Sequence, residues 1–383
     1  MTAKLQTRSV KSALSTEIYI SATPGEEMPL QDQAREIFSG IHDVLRSNKA
    51  RILQERVFSA RPAVETLRTA RSGVYGDFDD GVAPSFLVAS EGLAGPIAGV
   101  QVHAVSSGGR PQVVDLDGVP CGRILRVPGR AYLALSGVSV AGILPAIRGR
   151  DALDTNEAAA QAKAMMQKAE AALRKLGADF LSVPRTWMWL KDILSWYDDF
   201  NQVRTGFFKE WGLIGEGSRQ SMPASTGIGL GPANGAHCAM DLMAVLEPTE
   251  CTQYLQTTGK QHCAFKYGSA FSRAARSIMP AGETVFVSGT ASIDAAGTTT
   301  HVGDAAGQIN ATIENVRAVL SEMQCSDNDV VQVIAYCKTT AVEKVFNSIK
   351  DKLAWPWITV ICDICRPDLL FEIEATAMSR SQN

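Results

Sequence analysis

Two carboxylates spaced by one residue near the end of the chain, in Leu370-Phe371-Glu372-Ile373-Glu374-Ala375, are the side chains best placed for acid–base chemistry. In an extended strand side chains alternate, so Phe371, Ile373 and Ala375 point one way and Glu372 and Glu374 the other. If that strand is buried, loss of water disfavours the charged form, raises a carboxyl pKa and suits a general acid near neutral pH. On a solvated edge strand the same pair would be ordinary surface charge. Other chemistries have less support. The histidines, at 42, 103, 237, 262 and 301, form no HExxH or His-x-His arrangement, and there is no Walker lysine motif or strand-anchored GxGxxG. Of the eight cysteines only Cys362 and Cys365 are close in sequence, and a zinc site needs a second pair or two histidines at ligand spacing. The expectation is no cofactor and no metal, with free thiols distributed as in a reducing compartment.

The elements that must hold the carboxylates are read from a repeat. Ala158-Ala159-Ala160-Gln161 opens a helical stretch through Leu173, and Ala305-Ala306-Gly307-Gln308 opens another through Leu320, at a constant offset. Each is preceded by a strand ending in Ser-Gly (Ser136-Gly137 and Ser288-Gly289) and followed by an apolar strand, at 179–183 and 329–333. A second helix (190–200 and 342–353) and a final strand (239–246 and 370–377) complete each copy. Asp154 with Glu157 reads as a capping box, Gly177 as a helix stop and Asp304 as an N-cap. A helix is expected from Leu30 to Leu53, outside both copies, and the Gly-, Ser- and Pro-rich segment 210–236 reads as a binding loop inside the first copy. The class is α+β: two units, each a mixed β-sheet with helices on one face.

At 383 residues, 45% hydrophobic and 20% charged, the chain has ordinary globular composition and can bury a large core. A net charge of -3 gives no basic footprint for nucleic acid or an anionic membrane, so a small-molecule ligand fits better. No run of 18 apolar residues and no signal-type apolar stretch is present, which points to a cytoplasmic protein, either a monomer or a small homo-oligomer.

Residues 262–378, with Tyr267-Gly268-Ser269-Ala270-Phe271-Ser272-Arg273-Ala274, Val287-Ser288-Gly289 and Phe371-Glu372-Ile373-Glu374-Ala375, resemble a RidA (YjgF) domain. That resemblance implies a cleft between neighbouring units lined by Glu372. The chain departs from the family in carrying Trp357 where an arginine is usual and in having a second unit fused in front. A larger resemblance, from about residue 85 onward, is to chorismatases. It rests on Pro184-Arg185-Thr186-Trp187, Trp196-Tyr197-Asp198-Asp199-Phe200-Asn201, Arg204-Thr205-Gly206-Phe207-Phe208, Pro223-Ala224-Ser225-Thr226-Gly227 and Cys365-Arg366-Pro367-Asp368. It implies RidA-like units packed in a pseudo-trimeric arrangement: residues 1–84 an extension and the start of the first domain, 85–250 an N-terminal RidA-like domain with a degenerate site, 262–383 a C-terminal one carrying Glu372.

The same resemblance implies cofactor-free cleavage of the enolpyruvyl ether of chorismate, with Glu372 protonating the enolpyruvyl methylene. Chorismate carries two carboxylates and a hydroxyl, so its site needs cationic forks and hydroxyl donors. Arg204 and Arg273 are the first choices, Arg185, Tyr197 and Tyr267 the second, with Ser225 and Thr226 as loop donors. Core packing is expected for Trp187, Trp196, Phe207 and Phe208. Cys365, seven residues before Glu372, resembles the branch that forms 3-hydroxybenzoate. The alternatives are hydrolysis to a dihydroxycyclohexadiene carboxylate, 4-hydroxybenzoate formation, or a RidA-type metabolite-binding or deaminase protein.

Overall fold

A computed structural model of the protein describes residues 3–25, 28–141, 157–215 and 220–378. Its strands form three six-stranded mixed sheets with helices, an α+β fold as expected. The first sheet is built from β1 (Lys4–Lys11), β2 (Ser15–Thr23), β3 (Arg51–Ser59), β4 (Ser85–Val88) and β5 (Ile97–Ser107), with α1 (Leu30–Ser47) and α2 (Val64–Tyr75). The second uses β6 (Gln112–Leu116), β7 (Val119–Val127), β8 (Arg130–Val138), β9 (Arg185–Leu190), β10 (Ala224–Ile228) and β12 (Cys238–Glu247), with α3 (Glu157–Lys175) and α4 (Tyr197–Glu210). The short β11 (Gly231–Pro232) crosses back to pair with β4. The third uses β13 (Gln253–Leu255), β14 (Ala274–Met279), β15 (Gly282–Ala291), β16 (Val330–Cys337), β17 (Trp357–Ile361) and β18 (Phe371–Met378), with α5 (Ala305–Glu322) and α6 (Thr340–Asn347).

All three repeat one topology. In each the last strand inserts antiparallel between a hairpin strand and the strand after the first helix, giving β2-β5-β3-β4, β8-β12-β9-β10 and β15-β18-β16-β17, and the edge strand pairs parallel. One face of each sheet packs on its own helices: Ile20 and Val102 on Ile37 and Phe38, Leu135 and Met240 on Met165 and Phe208, Val287 and Ile373 on Ile313 and Val316. The opposite faces meet in one shared core, where Phe58, Trp187, Trp189, Phe286, Ile334 and Tyr336 pack together. Each central strand is therefore buried on both sides.

Several expectations change. Residues 1–84 are more than an extension, because β1 to β3 join β4 and β5 in a sheet of their own, one sheet more than the two copies read from the repeat; the second sheet starts only at β6. The helix expected to Leu53 ends at Ser47, where Asn48 caps it and Lys49 turns left-handed (φ 51), and Arg51 begins a strand. The strand expected at 179–183 lies at Arg185–Leu190, because Asp179 accepts from the Leu181 amide and tightens 180–182 into a 3-10 turn. The second helix of that copy starts at Tyr197. Asp304 caps α5 by accepting from the Gly307 amide, and Gly177 follows α3 with φ 73. Asp154 lies outside the described residues.

Candidate active site

β18 is a central strand flanked by β15 and β16, so the carboxylates have no solvated edge. Phe371, Ile373 and Ala375 face the helices, with Phe371 against the Phe346 ring at 4.9 Å. Glu372 and Glu374 face the second sheet and are 4% and 5% exposed. Their environments then diverge. Glu374 accepts from Arg185 Nη2 at 2.9 Å and from Trp187 Nε1 at 2.8 Å. Arg185 also donates to Thr226 Oγ1 at 2.7 Å, and burial lowers its pKa only to about 10, so it stays cationic at neutral pH. Glu374 is thus a fixed, paired carboxylate. Burial, reinforced by that neighbouring charge, pushes the Glu372 carboxyl up to about 8; Arg185 and Arg273 offset only part of the rise. Glu374 is held by its ion pair with Arg185, while Glu372, one pleat away, keeps its proton at neutral pH and is equipped to donate it.

A bulge makes room for the acid. Pairing of β15 with β18 shifts register between Val287 and Thr290, so Ser288 and Gly289 bow out beside Glu374 and Ala291 comes opposite Glu372. The bulge is stitched to β10: Ser288 Oγ donates to Ser272 O at 2.5 Å and accepts from the Ser225 amide at 2.8 Å, while Gly289 N donates to Thr226 Oγ1 at 3.1 Å. A Cβ on Gly289 would collide with Glu372 Oε1 and meet Thr226 Cγ2 at 3.2 Å. Gly289→Ala should accordingly lose about 1–3 kcal/mol of stability, the usual range for overpacking. Chemical denaturation checks this, and an unchanged midpoint would show that Glu372 has room to swing away.

Seven of the expected residues, Tyr197, Arg204, Ser225, Tyr267, Arg273, Cys365 and Glu372, line one narrow cleft between the second and third sheets. The cleft continues into a wider mouth past Tyr197, Tyr267, Ser269, Cys365 and Arg366. Arg204 projects from α4, is 1% exposed, donates to Asn201 Oδ1 at 2.6 Å and has no partner for Nε among the described residues. Arg273 donates to His262 O at 3.1 and 2.8 Å and to the Tyr267 hydroxyl. Burial raises Tyr197 and Cys365 to about 12 each, so both face the cleft as neutral donors and Cys365 is a thiol. Cations and neutral donors around a protonated acid form a site for an anion.

Arg185 and Thr226 do not line the cleft. They stand behind it and orient Glu374 and the bulge, because Thr226 alternates with Ser225 and Gly227 on β10. Trp187 is more than filler, since its indole N–H holds Glu374 and the Arg56 guanidinium lies 3.6 Å from its ring centroid. Trp196, Phe207 and Phe208 are core, as expected. Trp357 packs edge-on against Phe346 on the helix side of the third sheet. Sequence reasoning missed Ser269, Phe271 and Arg366 on the cleft wall, all inside motifs already singled out; Arg366 donates to Gly297 O at 2.6 Å and lies over the Tyr267 ring. Ala291 and Ile293 carried no signal.

The raised Glu372 carboxyl makes stability pH-dependent. Between its ordinary value of 4.5 and about 8 the folded chain holds a proton that the unfolded chain releases, so this group's contribution falls as pH rises through that window. Glu372→Gln removes the titration. The melting temperature of the variant relative to the wild type should therefore climb from pH 5 to pH 8; a difference that stays flat would place the native carboxyl near its ordinary pKa.

Among the described residues no cluster of His, Cys, Asp or Glu is arranged to hold a metal ion, and no helix is long and apolar enough to cross a membrane. Residues 264–379 match the family described as endoribonuclease L-PSP. No curated protein matches the chain. A solved structure described as a chorismatase superposes over 98% of this chain and 99% of its own with a TM-score of 0.61 at 18% identity, which shows a common fold across all three sheets. RidA from the Antarctic bacterium Psychrobacter sp. matches at 20% identity over 33% of this chain and 99% of its own, with a TM-score of 0.28. A YjgF-family protein from Neisseria meningitidis matches at 20% identity over 34% and 96%, with a TM-score of 0.26.

Proposed function

We propose that the cleft cleaves the enolpyruvyl ether of chorismate to pyruvate and 3-hydroxybenzoate. The observation that carries this reading is the buried Glu372 carboxyl, pushed up to about 8, facing a cleft that also holds two buried arginines. The full-length likeness in fold to a protein described as a chorismatase supports it. Arg204 and Arg273 take the two carboxylates, with the free Nε of Arg204 supplying an unused donor. Tyr197, Tyr267 and Ser225 offer hydroxyls to the ring substituents. Glu372 transfers its proton to the enolpyruvyl methylene, positive charge develops on the ether-bearing carbon, and the carbon–oxygen bond to the ring breaks. As that bond breaks, the oxygen of the neighbouring ring hydroxyl closes onto the vacated carbon, forming an arene oxide and giving its proton to the now anionic Glu372. The oxide then reopens at the carbon that first bore the hydroxyl, and the carbon that keeps the oxygen loses its hydrogen while the oxygen takes up a proton, which leaves 3-hydroxybenzoate. The two products together contain all the atoms of chorismate, so the net change needs neither an electron acceptor nor a metal.

The ring product is set by what stands beside the leaving oxygen. Cys365 brings a neutral, polarizable thiol to the cleft wall, which favours aromatisation over attack by water. With Cys365→Ala, chromatography of the products should show the diene diol replacing much of the 3-hydroxybenzoate while pyruvate is still released. An unchanged ring product would remove Cys365 from the choice of outcome.

A further inference from the structure

We infer that the protein carries a second ligand site, a non-catalytic pocket for a small aromatic or alicyclic carboxylate, between the first and second sheets. The internal symmetry locates it. Pairing of β8 with β12 shifts register between Leu135 and Val138, so Ser136-Gly137 bulges beside Asp241 as Ser288-Gly289 bulges beside Glu374. Asp241 is held as Glu374 is, accepting from Arg56 Nε at 2.8 Å, Ser85 Oγ at 2.5 Å and the Gly137 amide at 2.7 Å. Two residues earlier on the strand, where the third sheet places Glu372, stands Ala239.

The space in front of Ala239 is a pocket of about 320 Å³, bounded by α2, β4, β8 and α3. Among the described residues its cations are Arg68 and Lys168, and no Asp or Glu lines it. Among the described residues Lys168 Nζ donates to Ser139 O, at 3.2 Å, and to no other group. Ser136 Oγ, on the pocket wall and 92% buried, has no hydrogen-bond partner among the described residues. A buried hydroxyl without a partner and an ammonium with spare donors suit a carboxylate, and Phe86, Val119 and Val138 supply an apolar wall for its body. With Ala239 in place of the acid, a bound carboxylate meets no proton donor and stays unchanged.

The test is crystallography and titration of the full chain with 4-bromobenzoate. The expected result is anomalous bromine signal in this pocket, with the carboxylate against Lys168 and Ser136. In Lys168→Met that signal should be lost and the affinity of this site should fall about tenfold, the cost of one charge-assisted hydrogen bond. Ser136→Ala should weaken binding less. Bromine only in the Glu372 cleft, bromine nowhere, or binding indifferent to Lys168→Met would overturn the proposal. Neither residue touches the Glu372 cleft, so turnover in both variants should match the wild type, and failure of this site would leave the reading of that cleft standing.

Discussion

Glu372→Gln should release pyruvate from chorismate at about a thousandth of the wild-type rate, within the range general acid catalysis contributes. The amide keeps the shape and neutrality of the protonated carboxyl but has no proton to give to carbon. Because burial holds the acid form up to about 8, wild-type kcat/KM should be level through neutral pH and fall above that value, while the residual rate of the variant should lack this limb. The fold should survive, since a neutral amide suits a site that already disfavours charge. Activity within a few-fold of wild type would move the proton donor elsewhere. Glu374 is an unsuitable substitute, because Arg185 and Trp187 occupy its two oxygens.

Arg204→Met should lower kcat/KM for chorismate by about tenfold to a hundredfold, the loss of a charge-assisted hydrogen bond of roughly 1.5–3 kcal/mol in a desolvated cleft. Arg204→Lys should recover only part, because an ammonium cannot reproduce the fork. Stability should change little or rise, since Arg204 is buried with its Nε unpaired and its charged form already disfavoured by burial. Steady-state kinetics with the melting temperature as control separates the cases. Wild-type kcat/KM in Arg204→Met would leave substrate anchoring to Arg273 and Arg366.

What was legible in the sequence follows from where each signal is local. The alternation at 371–375 was legible as two faces because the apolar one meets helices and the one carrying Glu372 and Glu374 meets another sheet. The caps at Asp304 and Gly177 were legible because capping uses only neighbouring residues. The first sheet was not: β3 reads Arg-Ile-Leu-Gln-Glu-Arg-Val-Phe-Ser, and its buried Gln54, Glu55 and Arg56 find partners far away in sequence, so neither a helical nor a two-residue period stands out. Arg185 and Thr226 were placed in the site rather than behind it because the phase of β10 within its Gly- and Ser-rich segment is set by pairing with β9 and contact with the Ser288 bulge. The second pocket was hidden for a related reason. Its defining feature, Ala239 in the register place of Glu372, exists only once both bulges are aligned.

The most direct test is to incubate the purified wild-type chain with chorismate in the absence of metal ions and nucleotides and to measure pyruvate. Pyruvate in amounts equal to the ring product, with Glu372→Gln run in parallel releasing almost none, is the expected result. Chorismate recovered intact from the wild type would contradict the proposed reaction.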